Sequence, residues 1–290
     1  MMQSADSPDL YFGTAGWSYS DWEGIVYDRK ADGLETVSSI LDCAEVNSTF
    51  YRVPDQKMVS GWLRKVEGRD NFMFLVKVFR AFTHETSCSA DKRKGFLSML
   101  SILKRENRLG PVLAQFPFYF KRDKFAEQKV KNIAEIFGDC TLFAEFRHTS
   151  WLDPSVPGRL REWNTGLCNI DIPGGEKTFN RTQEMRENTG YLRLHGRNSK
   201  AWFRRGAQRD EKYDYLYTDN EIGGVIERLK GIGRKAARVF VIANNHYRGK
   251  APANALELKA AVTGERVHVP AQMMYEYPHL KKYADSKTLF

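Results

Sequence analysis

Glu45, Glu145, His148 and His195 can exchange protons, while Lys77, Arg147 and Arg193 can hold a phosphate or carboxylate. Their positions make them a set. Seven apolar runs end in charged or amide residues: Glu45/Asn47, Lys77, Gln115, Glu145/Arg147, Asn169/Asp171, Arg193/His195 and Asn244. If each run is a strand, residues two apart share a face, and parallel neighbours bring every ending to one rim. Packing alone would place Val, Ile or Leu there, so polar endings on nearly every run suggest that a ligand replaces part of the core. The same residues also fit a self-paired ion network that only tops the core.

Several chemistries fit this rim. Glu45, Glu145, His148, Asp171 and His195 are all metal-ligand types and could hold a divalent ion that activates water, although Arg147 and Arg193 would repel it. An anion suits the cations better. The loops after the seventh and eighth strands offer Asn244, Asn245, Gly249 and Asn254 beside a helix start near residue 251, a place where free backbone N–H groups can bind phosphate, or where a plain helix cap sits. Segment 193–217 interleaves Arg193, Arg197, Arg204, Arg205 and Arg209 with Trp202, Phe203, Tyr213, Tyr215 and Tyr217. Cations that neutralise phosphate among rings that stack on bases suit a single strand or an extruded nucleotide. Trp17, Tyr19 and Tyr51 fall in the first two loops and could wall the mouth. His84 follows the third strand and, like His148, is either a base or a hydrogen-bonded structural residue.

The elements that must position these groups alternate. Strands are expected at 11–15, 43–47, 72–78, 112–116, 141–146, 167–171, 191–195 and 239–243, and helices at 55–66, 91–106, 125–137, 155–163, 220–230 and 251–262, with Asp55, Asp91 and Ser155 as caps. Eight such strands, alternating with helices, close into a single-domain TIM (β/α)8 barrel over 11–290, preceded by a disordered tail at 1–10 and ending in an extension from about residue 265. The stretches after the sixth and seventh strands are long for spacers and read as functional loops.

The bulk composition sets outer limits. With 45 Lys and Arg against 36 Asp and Glu, the net charge of +9 draws the protein toward polyanions, or serves only solubility. The polar start MMQSADSPDL contains neither a signal peptide nor a membrane span, so a cytoplasmic protein without membrane partners is expected. Four scattered cysteines without a CxxC pair imply neither a zinc site nor a disulfide framework.

The motifs GTAGWSYSDWEG, AEVNSTFYRVP, KVFRAFTHE, LAQFP, AEFRHTSW, YLRLHGR and NNHYRGKAPANA, in that order across about residues 11–260, resemble the domain of unknown function 72 family, the YecE-like proteins. The resemblance implies a TIM barrel and no particular activity. Residue by residue it falls on most of the rim: Trp17, Tyr19, Glu45, Asn47, Tyr51, Lys77, His84, Gln115, Glu145, Arg147, His148, Arg193, His195, Asn244, Asn245 and Gly249. The leading expectation is a phosphate-bearing ligand, a nucleic acid or nucleotide, held at the strand ends by Lys77, Arg147 and Arg193. Hydrolysis, if it occurs, would be of a phosphate ester, with Glu45 or Glu145 as acid or base and His195 as proton shuttle. The alternatives are a metal-dependent hydrolase or isomerase of a small sugar-like molecule, and a non-catalytic nucleic-acid-binding protein that uses Trp202, Arg204 and Arg205.

Overall fold

In a computed structural model, which describes residues 8–69, 71–174 and 179–285, the expected strands wrap around one axis. They are β1 (Asp9–Ala15), β2 (Cys43–Val46), β3 (Met73–Lys77), β4 (Leu109–Gln115), β5 (Leu142–Glu145), β6 (Gly166–Leu167), β7 (Asn169–Asp171), β8 (Met185–Arg186), β9 (Thr189–Leu194) and β10 (Arg238–Ala243). Pairing follows β6-β5-β4-β3-β2-β1-β10-β9-β7, parallel throughout, with β8 antiparallel to β9. The ends of that path, β6 and β7, are halves of one strand broken at Cys168, whose N–H still donates to the Ala144 carbonyl at 2.9 Å. Eight strand positions therefore close a (β/α)8 barrel.

All six expected helices form: Gln56–Lys65, Ala90–Arg105, Lys124–Ile136, Val156–Glu162, Asp219–Gly233 and Lys250–Thr263. The Asp55 side chain caps the first by accepting from the Met58 N–H at 2.8 Å. The second is capped by Ser89 instead of Asp91, and the Ser155 side chain makes no capping bond. The sequence reading missed a further helix, Gly33–Ile40, capped by Asp32 and burying Leu34, Val37 and Ile40. Its opening glycine and its Thr, Val and Ser content give it weak intrinsic helicity, so packing forms it.

Three departures from expectation bear on how the barrel closes. β4 starts at Leu109, because Gly110 and Pro111, which read as breakers, sit inside it. Pro111 cannot donate a ladder hydrogen bond, and the β3–β4 register shifts between Phe74 and Val76 to accommodate it. Asp9 and Leu10, assigned to the tail, pair with Arg238 and Val239; Pro8 before them is outside the strand, and residues 1–7 of that tail lie outside the described residues. The third is the connection after β7, which carries the turn Phe179–Arg181 and β8. Arg228, from the helix Asp219–Gly233, pins it by donating to the carbonyls of Ile170, Phe179 and Thr182 at 2.8–3.0 Å. This stretch stands where a sixth helix would, and residues 175–178 of it lie outside the described residues.

The barrel interior is filled in layers. Tyr11 stacks on Phe240 low in the barrel, and Phe143 meets Tyr191 edge-on above them. Gly13 belongs to this inner face: a Cβ there would come within 2.2 Å of the Cys43 carbonyl oxygen. Gly13→Ala is expected to destabilise the fold by about 1–3 kcal/mol, measured by urea denaturation. The C-terminal extension, with its helix Ala271–Glu276, buries Met273 and Leu280 against the barrel. No helix among the described residues is long and apolar enough to cross a membrane.

Candidate functional site

The floor of the site is an ion-pair layer at the strand ends. Register sets its members: Gln115 pairs with Glu145 across β4 and β5, and Arg193 on β9 faces inward with them. Arg193 donates through Nη2 to Glu45 Oε1 at 2.7 Å and through Nη1 to Glu145. Tyr191 donates to the other Glu45 oxygen at 2.5 Å, and Arg147 donates through Nε to Glu145 at 3.0 Å. His195 lies 3.4 Å from the same Glu145 oxygen, with its Nδ1 held by Asn244 at 2.8 Å. Burial alone would raise the Glu145 carboxyl, but the charges of Arg193, then His195 and Arg147, hold it well below the usual carboxylate range. Burial also drives His195 down to about 4, against the pull of Glu145, so it is neutral at physiological pH.

Above this floor opens a cavity of about 460 Å³, whose walls include five cations, Lys77, Arg80, Arg147, Arg193 and Arg209, and no carboxylate. Amides of Asn47, Gln115 and Asn244 reach it as well. Its aromatic side is a chain of ring contacts: Tyr19 stacks on His246 with ring centroids 4.6 Å apart, His246 meets Tyr213 at a tilt at 5.1 Å, and Tyr213 meets Trp202 edge-on at 5.7 Å. Trp202 in turn covers the Arg147 guanidinium at 5.7 Å. Burial, and then the neighbouring Arg193 charge, lowers the Lys77 ammonium to about 7. His84 falls to about 4 through burial and then Lys77, and His246 to about 4 through burial and then Arg209.

The structure thus brings Tyr19, Asn47, Tyr51, Lys77, His84, Gln115, Arg147, Arg193 and Asn244 together around the cavity. Glu45, Glu145 and His195 gather too, but beneath it, fully buried. The remaining expected residues lie elsewhere. Asp171 is one residue beyond Ile170, which pairs with inward-facing Arg193, so Asp171 points outward. There Arg197 grips both its oxygens at 2.7–2.8 Å and Tyr217 donates to one. His148 caps the turn Thr149–Leu152, accepting from the Ser150 N–H at 3.1 Å. Trp17 packs outside the barrel on Trp62 and Phe74.

The expected helix-start anion cradle is closed. Gly249 (φ 79°) caps the helix Lys250–Thr263, and a Cβ there would come within 2.8 Å of the Val26 side chain. Asn245 spends its amide on Tyr215 and Asn254. Arg204 pairs with Glu211, and Arg205 is exposed away from the cavity walls. Among the described residues no three His, Cys, Asp or Glu side chains gather as a metal set, because Arg193 separates Glu45 from Glu145 and Arg197 takes Asp171.

Sequence reasoning did not single out Arg80, Phe118, Arg209, Tyr213 or His246 as wall residues. Arg209 and Tyr213 lie within the basic aromatic segment, but only the folded helix Arg209–Tyr213 turns them inward. His246 follows Asn244 by two positions and was reachable by the same alternation.

Fold and floor together make this a (β/α)8 barrel with a cation-walled cavity at the C-terminal ends of its strands. The chain belongs to the family described as protein of unknown function DUF72, which it matches over residues 11–276. It is 24% identical over 266 residues to the UPF0759 protein YunF of Bacillus subtilis, covering 86% of this chain and 93% of that one. Among solved structures it is similar to the DUF72 family protein TM1631 of Thermotoga maritima, at 29% identity and a TM-score of 0.77, covering 88% and 99% of the two chains. It is also similar to the DUF72 family protein EF0366 of Enterococcus faecalis, at 25% identity and a TM-score of 0.77, covering 88% and 95%.

Proposed function

We propose that the barrel mouth binds a phosphate-bearing ligand of nucleotide size. The observation that carries this reading is the wall itself, five cations and no lining carboxylate around about 460 Å³, a volume suited to a small molecule; Glu85 and Asp210 behind the wall partly offset Arg80 and Arg209. The floor strengthens it. Glu45 and Glu145 offset Arg147 and Arg193, so the inner group carries a surplus positive charge when Lys77 is protonated, the form that a bound anion favours. The wall rings Tyr19, Phe50 and Tyr213 offer aromatic surface for a base. Carboxylate-driven hydrolysis is not part of this proposal, because Glu45 and Glu145 lie under Arg193 and do not line the cavity. Equilibrium dialysis of AMP against adenosine tests the reading: AMP should bind at least about tenfold more tightly, as expected for charge-assisted contacts, and equal affinity would remove the phosphate from the account.

Proton linkage gives a second check. Lys77 is lowered to about 7 in the free protein, and a bound anion favours its charged form. Affinity for sulfate, which does not titrate in this range, should be highest below pH 7 and fall by up to about tenfold per pH unit above it. Calorimetry in buffers of different ionisation enthalpy should then show proton uptake at pH 8.

Short single-stranded nucleic acid is a second reading, favoured by the exposed aromatics Tyr51, Phe118, Tyr119 and Phe203 in the loops at this end. Arg204 is spent on Glu211, so Arg204→Ala should leave AMP affinity within about twofold. A large loss of oligothymidylate binding in that variant would instead support the loop as a nucleic-acid contact.

A further inference from the structure

Lys77 is chemically unlike the other cations of the wall. Its Nζ sits 4.3 Å from the centre of the Phe50 ring, and no carboxylate among the described residues pairs with it. The acids beneath are already taken, Glu45 by Arg193 and Tyr191, and Glu145 by Arg193 and Arg147. The Phe50 face favours the charged ammonium, but burial without a carboxylate partner, beside the Arg193 and Arg147 guanidiniums of the same wall, outweighs it and is the setting that keeps lysine unprotonated and nucleophilic.

We propose that Lys77 is a nucleophile that captures an aldehyde or ketone carrying a phosphate, forming an imine in the barrel mouth. This rests on the phosphate-binding reading above and names the ligand's reactive group. The lone pair of neutral Lys77 attacks the carbonyl carbon, and the carbonyl oxygen takes a proton to give a carbinolamine. Loss of that oxygen as water, with the second proton coming from the nitrogen, leaves a carbon–nitrogen double bond. The lowering of Lys77 to about 7 supports the free amine near neutral pH; because a phosphate against Lys77 itself would protonate it, Arg80, Arg147 and Arg193 must hold the phosphate of this ligand while its carbonyl meets Lys77.

Limiting pyridoxal 5′-phosphate followed by borohydride is the test, since hydride addition to the imine carbon fixes the label as a secondary amine that peptide mass spectrometry can locate. At pH 7.5 Lys77 should be labelled at least about tenfold faster than surface lysines, whose amines are almost wholly protonated, and inorganic pyrophosphate should slow that labelling. Lys77→Arg should lose the fast label and still bind pyrophosphate. Labelling of Lys77 no faster than surface lysines overturns the imine proposal whether or not the variant folds, because it is read on the native protein. If pyrophosphate still binds in that case, the phosphate-binding reading stands. Fast labelling without pyrophosphate protection or binding keeps the nucleophile and sinks that reading.

Discussion

Glu145→Gln should unfold at markedly lower urea, losing about 3–5 kcal/mol, because it leaves the buried Arg193 with only Glu45 to balance it and the half-buried Arg147 without its carboxylate. The charge, more than the shape, carries this effect, since Gln fills nearly the same volume. The pH dependence separates charge from packing. Glu145 is held well below its ordinary value of 4.5, so its contribution is full above that pH and fades as pH falls toward its folded value. The gap between native protein and variant should therefore be widest near neutrality and narrow in acid. A constant gap from pH 7 to pH 3 would mean that packing, and not the ion-pair layer, holds the mouth.

The second large effect concerns binding. Arg147 joins floor and cavity: Nε donates to Glu145, while the guanidinium lines the cavity under Trp202. Arg147→Met keeps most of the apolar stem and removes the charge, and it should weaken pyrophosphate binding roughly tenfold to a hundredfold, the range for losing a hydrogen bond to a charged group. Stability should change less than in Glu145→Gln, because Glu145 keeps Arg193 and His195 as partners. Isothermal titration calorimetry at low salt gives the affinity. An unchanged affinity would place the anion elsewhere on this basic surface.

Much of the fold was legible in the sequence because its signals were local. Apolar runs alternating with capped helices gave the eight strand positions, and the seven ordered motifs gave the same barrel by resemblance. The site was legible to the extent that alternation was. Glu45, Lys77, Gln115, Glu145, Arg147, Arg193 and Asn244 converge because each lies in phase with the inward face of its strand. Alternation leaves open which of two faces looks inward, and in a buried parallel strand both faces are apolar. Cys168 and Ile170 took the inward side of the sixth strand, which turned Asn169 and Asp171 out. Depth was hidden too. That Glu145 lies under Arg193, with no access to the cavity, follows from how neighbouring strands stagger around the cylinder. The inward turn of Arg209 and Tyr213 depends on loop packing, for which no periodicity exists.

The central claim is that the cations at the strand ends form one anion site. Calorimetric titration of the native protein and of the double variant Lys77→Met with Arg147→Met, using inorganic pyrophosphate at low salt, tests it most directly. One saturable site in the native protein, weakened by added salt and lost in the double variant, is the predicted result. No saturable site, or one that survives the double substitution unchanged, would contradict it.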